Sequence, residues 1–387
     1  MTMNAEDIIK RCEELHDDLH FTYVKDWKAA RGAKAIGFMP VYVPRELIHA
    51  AGMLPVGIMG GGDNLEIIRG DAFFQSYICR IPRSTIELGL GGRLDMLDGM
   101  LFPAICDVIR NLSGMWQMMF EGKYVKYLDV PQNFGPQGRT FYASELADMA
   151  RAFERISGNE ITRDALNTSI ALYNENRRLV AALYDLRAAA PHKVPTSDVY
   201  LLMRASNILE VSEHSEMLRD YMAAIGDIDR PVRDNVRVVV TGAFCEQPPL
   251  SLVRALEQSG CFIVDDDFVL GNRYQLKPVA VGERPMEALV EAYLGDTVAT
   301  ASRYEEDGDR GAYLVDQVRA RRAEGVIFAA PSFCDPALLD RPMIEAVLTR
   351  ENIPYTAFKY AENTGQIQVI KEQTGTFADS IKLWGVQ

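Results

Sequence analysis

The sequence predicts an α/β protein with two parallel-sheet domains joined by a helical layer. In both halves, short apolar strands alternate with helices of ten or more residues, which is typical of parallel sheets with right-handed crossovers. Residues 98–107 and 324–335 echo each other: each runs from an acidic residue and glycine through a short strand to Cys-Asp. The region of about 144–225 lacks strand signals. These features together favour two similar units presenting cysteines to one shared site.

Length and charge bound the class of protein. The chain has 387 residues, enough for two or three domains, and its 48% hydrophobic and 25% charged content is typical of a globular protein. A net charge of -13 argues against nucleic-acid or anionic-membrane binding. Neither a membrane-length apolar run nor a signal-peptide core is present, so we expect a cytoplasmic protein with reduced cysteines.

The first half is expected to hold a helical segment at 1–33 and an α/β domain at 34–143. Pro44 and Gly52 are typical of the start and end of a helix over 45–51. Further helices are predicted at 72–92 and 108–120. Strands are predicted at 35–39, 54–58, 99–103 and 125–130.

The second half repeats this order. A helical connecting region is expected at 144–233 and a second α/β domain at 234–387. In the second domain, helices are predicted at 249–259, 310–323 and 336–350. Its strands are predicted at 236–242, 262–264, 326–330 and 354–358, with the acidic run Asp265–Asp267 closing the second of them.

The cysteines are the strongest candidates for chemistry. Cys79, Cys106 and Cys334 are widely spaced, and the chain has no C-x-x-C, which excludes a zinc ribbon, a thioredoxin-type pair and a bacterial ferredoxin run. Three distant thiolates can still meet if two domains face each other, leaving one corner of a [4Fe-4S] cube open. A helix start would favour each thiolate. Burial as small apolar residues is the alternative.

The other three cysteines are weaker candidates. Cys245 follows a predicted strand and could be a fourth ligand or a ligand of a second cluster. Burial is the simpler interpretation for Cys261, and Cys12 shows no sign of a role. No further motif competes with the cysteines, because the chain lacks a P-loop, a G-x-S-x-G elbow and an H-E-x-x-H motif.

Several polar residues lie near predicted strand ends. Asp107 and Asp335 are interpreted as helix-capping residues, and the glycine-rich stretch 57–63 as a plain loop. The remaining polar candidates are interpreted as turn and capping groups: Glu46, Asp265, Asp266, Asp267, Arg273, Tyr274 and Glu362.

Four segments, in order along nearly the whole chain, resemble the benzoyl-CoA reductase and 2-hydroxyacyl-CoA dehydratase family. Residues 43–56 resemble its "P-x-E-L-I-x-A-x-G-x-x-P" segment, and residues 102–112 its "F-P…C-D-x-x-R-N-L" segment. Residues 265–274 resemble "D-D…G-x-R-Y", and residues 333–336 resemble the third cysteine motif.

The resemblance implies a fold, a cofactor and partners. It implies two flavodoxin-like, doubly wound domains with a [4Fe-4S] cluster between them, held here by Cys79, Cys106 and Cys334. It also implies a homologous cluster-binding sister subunit, a separate ATP-hydrolysing iron–sulfur activator, a low-potential ferredoxin as indirect donor and an acyl-CoA substrate. The missing P-loop agrees with ATP chemistry on a partner.

The implied activity is stepwise one-electron reduction of benzoyl-CoA to a cyclohexadiene-carbonyl-CoA in anaerobic aromatic degradation. The chain departs from the ending "G-Q-x-x-T-R-x-x-A-F" of many members, since Thr374 is followed by Gly375 rather than arginine. Its length and ending are most similar to the smaller cluster-binding subunit of the ATP-dependent reductases. Three alternatives stay open: a 2-hydroxyacyl-CoA dehydratase subunit, a non-catalytic electron-relay or structural partner, and a double-cubane reductase using Cys245.

Overall fold

The computed structural model shows two four-stranded parallel sheets flanked by helices, which confirms the predicted α/β class. The described residues are 4–39, 41–228, 230–242, 248–267, 277–296, 310–361 and 366–384. Five sequence candidates lie outside them: Cys245, Gly271, Arg273, Tyr274 and Glu362.

The elements of the first sheet are β1 (Ala35–Phe38), α3 (Arg45–Ala50), β2 (Leu54–Gly57), α4 (Arg80–Leu90), β3 (Gly99–Pro103), α5 (Asp107–Met119) and β4 (Tyr124–Leu128). The strand order is β2-β1-β3-β4, with all strands parallel. Helices α3, α4 and α5 follow strands β1, β2 and β3 in the chain.

The elements of the second sheet are β5 (Val236–Thr241), α10 (Leu250–Gln258), β6 (Cys261–Asp266), α11 (Pro285–Asp296), α12 (Ala312–Arg321), β7 (Gly325–Pro331), α13 (Asp335–Arg350), β8 (Tyr355–Tyr360) and α14 (Ile367–Trp384). The strand order of the first sheet is repeated as β6-β5-β7-β8, again all parallel. Both orders follow the 2-1-3-4 succession of flavodoxin-like sheets.

Helices fill the region between the sheets, as expected from its lack of strand signals. They are α6 (Pro136–Ser157), α7 (Arg163–Ala189), α8 (Thr196–Ala205) and α9 (Val211–Ala224). The N-terminal segment is helical, as expected, and consists of α1 (Ala5–Asp17) and α2 (Thr22–Arg31). The two helices are separate because Phe21 adopts a left-handed φ of 52°. No described helix is long and apolar enough to cross a membrane.

Two predicted elements differ from the structure. The helix expected at 72–92 begins only at Arg80, after an irregular loop. The acidic run does not close strand β6, because Asp265 and Asp266 belong to it. The register of β6 against β5 shifts after Val238, and Val264 is the unpaired residue of this bulge. A bulge re-aims the side chains that follow it, which here are the aspartates.

The strands at the centre of the second sheet pack against two hydrophobic clusters. On β7, Val326 and Phe328 belong to a cluster shared with the first sheet, whereas Ile327 and Ala329 belong to a cluster with α8, α9 and α10. This alternation follows from the two-residue period of a strand, whose side chains point to opposite faces. The first cluster is continuous across both α/β units, so their packing is coupled.

A buried ion pair joins the helical layer to the second sheet. Arg187 of α7 is fully buried and donates from Nη1 to Asp266 Oδ2 at 2.6 Å. Tyr184 donates to the other oxygen of Asp266 at 3.3 Å. Among the described residues, the Nε and Nη2 groups of Arg187 have no hydrogen-bond partner. The pair is therefore costly to break, because either partner alone would be a buried charge.

We expect Arg187→Met to lower the free energy of unfolding by about 3–5 kcal/mol, since it leaves the Asp266 carboxylate buried and unpaired. Urea denaturation followed by circular dichroism measures this change. The double variant R187M/D266N is expected to be less destabilised than R187M alone, because it removes both charges.

Arg178→Met is the matched control. Arg178 lies on the same helix and pairs with Glu175 at the surface, so its loss is expected to leave stability nearly unchanged. Equal stability of R187M and R178M would contradict a structural role for the buried pair.

Candidate functional site

Two of the three predicted cysteines lie at equivalent positions of the two sheets. Cys106 follows β3 and directly precedes α5, and Cys334 follows β7 and directly precedes α13. Both strands lie third in the chain order of their sheets and beside the first. That is the point where the strand order reverses, and in open parallel sheets ligands bind at the carboxyl ends of the strands there.

Cys106 and Cys334, one from each unit, are near enough to interact electrostatically. Burial raises the pKa of the Cys106 thiol to about 11, and charge on Cys334 adds to the increase. The N–H groups of Ile109 and Val108, at the start of α5, hydrogen-bond to the sulfur and act in the opposite direction. A metal or cluster that replaced the proton would meet a sulfur already facing these helix amides.

Cys79 lies at the start of a third helix. It precedes α4 and is 7% exposed. The loop before it is fastened to α4 by Glu87, whose Oε2 accepts from the N–H groups of Ile68, Arg69 and Gly70 at 3.0, 2.7 and 2.8 Å. Although burial by itself raises the pKa of Glu87, these hydrogen bonds bring it below the usual value.

The glycine-rich stretch is a tightly packed loop, as predicted, and not a phosphate cradle with a G-x-G-x-x-G register. Gly60 has a left-handed φ of 72°, and a Cβ there would collide with the hydroxyl of Ser84 on α4. The loop after β2 therefore lies directly on the helix that Cys79 begins. Glycine at this position permits both the backbone conformation and the close approach.

The residues present fit an iron–sulfur cluster in donor type. Each of the three thiols precedes a helix whose amide dipoles favour a thiolate, and a thiolate is the ligand that iron requires. Among the residues that the structure describes, no group of three or more His, Cys, Asp or Glu side chains is arranged to hold a metal ion. The complete ligand set of Cys79, Cys106 and Cys334 therefore stays a prediction.

The remaining cysteines differ in their surroundings. Cys261 and Cys12 are fully buried, and burial raises the pKa of each thiol to about 12. The prediction that Cys261 is a core residue is confirmed. Cys245 lies outside the described residues, so its assignment as an additional ligand stays a prediction.

A cleft of about 510 Å³ lies between the two units, beside Cys106. It is bounded by the turn after β3, the residues after β4 and the start of α13. Its polar lining residues are Cys106, Asp107, Arg110, Tyr127, Asp129, Gln132 and Asp335. Desolvation and then the charge of Asp129 raise the pKa of Tyr127, so its hydroxyl keeps its proton at neutral pH.

Sequence reasoning missed Tyr127, Asp129 and Gln132. They lie at and just after the end of β4, and the parallel pairing of β4 with β3 was the signal that would have placed them beside Cys106. Arg110 lies 6.0 Å from the centroid of the Tyr127 ring. With Tyr127 it gives the cleft two hydrogen-bond donors that can stabilise negative charge on a bound carbonyl oxygen.

The interpretation of several strand-end residues as turn or capping groups is wrong. Glu46 is 1% exposed and forms a buried ion pair with Arg177 of α7. Asp265 accepts from Arg321 at 2.6 Å, and Asp267 accepts from Thr241 and the N–H of Gly242. Burial explains the difference, because a buried carboxylate needs charged or multiple donors.

Asp107 and Asp335 are helix-start residues, but the position before each helix is occupied by a cysteine. Both aspartates are exposed, and the cysteine at each N-cap position makes no side-chain capping hydrogen bond. Their negative charge in the first turn still favours the helix through its dipole.

Residues 40–381 match the family model described as 2-hydroxyglutaryl-CoA dehydratase, D-component. The chain is 58% identical to the C subunit of benzoyl-CoA reductase from Thauera aromatica over 99% of this chain and 100% of that protein. It is 30% identical to the beta subunit of (R)-phenyllactyl-CoA dehydratase from Clostridium sporogenes over 86% of this chain and 88% of that protein. It is 28% identical to the beta subunit of (R)-2-hydroxyglutaryl-CoA dehydratase from Acidaminococcus fermentans over 91% of this chain and 93% of that protein.

We expect Glu87→Ala to release the loop before Cys79. Loss of a charged acceptor of three amides should speed hydrogen exchange at Ile68, Arg69 and Gly70 by about 10- to 100-fold. Because the pKa of Glu87 is lowered on folding, its contribution is complete above the ordinary value of 4.5 and is lost as the pH falls through the lowered value. Hydrogen exchange followed by mass spectrometry tests both statements.

Glu66→Ala is the control, because Glu66 is an exposed acidic residue of the same loop. It is expected to leave exchange at residues 68–70 unchanged. If the two variants exchanged at the same rate, the Glu87 hydrogen bonds would not be what holds the loop.

Proposed function

The chain belongs to the 2-hydroxyglutaryl-CoA dehydratase D-component family, and we propose that it is the smaller iron–sulfur subunit of an ATP-dependent benzoyl-CoA reductase. Such an enzyme is an oxidoreductase that adds electrons and protons stepwise to the aromatic ring of benzoyl-CoA, giving a cyclohexadiene-carbonyl-CoA. We place it in the cytoplasm, in anaerobic degradation of aromatic compounds.

One observation carries the proposal. Identity to the benzoyl-CoA reductase relative from Thauera aromatica is 58% over essentially the full length of both chains. Identity to the dehydratase beta subunits is 30% and 28% over a smaller share. The dehydratase subunits share the family, so a lyase that recycles its electron and releases water is the second candidate.

A [4Fe-4S] cluster between the two units is the proposed cofactor, with Cys79, Cys106 and Cys334 as its ligands. When bound, such a cluster supplies single electrons at low potential. A double-cubane cluster that recruits Cys245 is the alternative. The observation that supports the site is the electrostatic interaction between Cys106 and Cys334, which lie after equivalent strand ends.

The chain's own residues prepare this site in two ways. The first amides of α5 hydrogen-bond to the Cys106 sulfur, and the positions of Cys79 and Cys334 before α4 and α13 favour negative charge on their sulfur atoms through the helix dipoles. Cys79 and Cys334 are 7% and 3% exposed, so water is largely kept from them. Exclusion of water matters for a strongly reducing site, because electrons would otherwise be lost to side reactions.

The cleft beside Cys106 is suited to an electron-rich carbonyl. A thioester carbonyl delocalises the charge of an added electron onto its oxygen, and hydrogen-bond donors aimed at that oxygen stabilise it. Arg110 and the protonated hydroxyl of Tyr127 are two donors that line the cleft. They would serve the acyl-CoA if it binds on this chain.

The remaining components lie on partners. The sequence contains no G-x-x-x-x-G-K-[ST], so we assign ATP hydrolysis to a separate iron–sulfur activator. The enzyme also needs a homologous cluster-binding sister subunit, and a low-potential ferredoxin is its indirect donor. The similar proteins are all subunits of larger enzymes, which supports an assembly of several chains.

We expect anaerobically purified protein to carry about four iron and four acid-labile sulfide per chain. Cys106→Ala should lose most of both, because it removes one of three ligands. Iron and sulfide analysis, with the absorbance near 400 nm, gives the result. Close to eight iron per chain would favour the double cubane.

Cys261→Ala is the matched control, since Cys261 is a buried thiol in the core of the second unit. It is expected to retain the iron of the unmodified protein. The cluster assignment would be overturned if the unmodified protein were folded but free of iron, and if neither variant differed from it in iron content.

With its sister subunit and activator present, we expect ATP-dependent loss of benzoyl-CoA coupled to net consumption of reductant. Chromatography of the CoA esters, together with the amount of electron donor oxidised, measures this reaction. Dehydration of a 2-hydroxyacyl-CoA without net electron use, and no change in benzoyl-CoA, would identify the dehydratase instead.

A further inference from the structure

The helix that begins after Cys334 has an exposed apolar face. Leu339, Pro342, Met343 and Ala346 are all exposed, and we call them the α13 stripe. Leu339 and Met343 have 70% and 43% of their surface in solvent. At about 100° per residue the four positions lie within an arc of about 100°. Phe333, just before the helix, is also 44% exposed.

No charged residue interrupts this face between Asp335 and Arg350, which lie at its two ends. The charged residues of the helix interior point elsewhere and are paired: Arg341 with Glu345 at 2.7 Å, and Asp340 with Arg310 at 3.3 Å. An outward helix face is normally the polar one, so an uncharged stripe with a large leucine and methionine indicates a surface that a partner covers.

The stripe continues into the cleft beside Cys106. Leu339 lines that cleft together with Asp107, Asp129 and Asp335. These three carboxylates are exposed, and none forms an ion pair with another residue in the part of the chain that the structure describes. The surface therefore has an apolar centre and an acidic edge.

This pattern distinguishes between occupants. A second copy of this chain, at a net charge of -13, would bring acidic edges together. A transient electron donor docks through a small and largely polar contact, whereas permanent subunit interfaces are apolar at their centre. The stripe fits a permanent partner whose apolar patch is flanked by lysine or arginine.

We propose that the α13 stripe is the centre of the interface with the sister subunit, and that basic residues of that subunit face Asp107, Asp129 and Asp335. The inference rests on the proposed function, from which it takes the existence of the sister subunit. It assigns one helix two tasks, since α13 places Cys334 at its start and binds the partner with its outer face.

The test uses the full chain and its separately purified sister subunit under anaerobic conditions. We expect the double variant L339E/M343E to weaken their association by about 10- to 100-fold in dissociation constant, as loss of a central apolar contact does. Sedimentation velocity measures it. Thermal unfolding of the isolated variant is expected to match that of the unmodified chain.

The matched control is V369E/L383E, which adds the same charges at exposed apolar positions of α14, 63% and 73% exposed. It should bind the sister subunit with unchanged affinity. Three outcomes would each overturn the inference. L339E/M343E could bind the sister subunit with unchanged affinity, or both double variants could lose affinity equally. The chain alone could also form a homodimer that L339E/M343E dissociates.

The acidic edge has its own test. Asp129→Lys should slow association with the sister subunit several-fold, because long-range attraction to a basic face is lost. An unchanged association rate would overturn the basic character of the partner's face.

Assembly and activity separate the two proposals. Heterodimer formation through the stripe without turnover of benzoyl-CoA would sink the proposed reductase and leave the interface standing. If L339E/M343E bound the sister subunit with the affinity of the unmodified chain and the assembly turned over benzoyl-CoA, the proposed interface would be wrong and the proposed reductase would stand.

Discussion

All strands of both sheets run parallel, and the arrangement of the site follows from this. Parallel strands need crossover helices, so every strand ends at the same edge and is followed by a turn into a helix. Because the two sheets share one order, the turns after β3 and β7 are equivalent, and each carries a cysteine directly before a helix. The first amides of α5 hydrogen-bond to the Cys106 sulfur, and Cys334 lies at the equivalent helix start.

Buried ion pairs fix the helical layer against these sheets. Arg187 and Arg177 of α7 reach Asp266 of β6 and Glu46 of α3, so a single long helix is joined to both units. Such pairs add little net stability, because desolvation offsets their attraction, but they penalise any other arrangement of the layers. Elements from different parts of the chain are thereby held in one relative position around the cleft.

The third cysteine depends on a different device. Cys79 follows an irregular loop rather than a strand end, and that loop is held by the carboxylate of Glu87 and by close packing of Gly60 on α4. Of the three proposed ligand positions, two are thus set by sheet topology and one by local hydrogen bonding. A loop can be reshaped more easily than a strand end, which makes this third of the site the most adaptable.

Local patterns in the chain were enough to predict the α/β class, the eight strands and the equivalence of Cys106 and Cys334, because apolar runs and turn residues record them directly. The family motifs could also be recognised from local sequence. The burial and ion pairing of Glu46, Asp266 and Arg187 could not be predicted, since their partners are far away in the chain and no local pattern records them. Likewise, Tyr127 and Asp129 reach Cys106 only through the pairing of β4 with β3.

From sequence, Leu339 and Met343 look like ordinary core residues of an amphipathic helix, and only folding reveals their exposure. Helix periodicity reports which residues share a face, whereas packing between distant elements determines which face is covered.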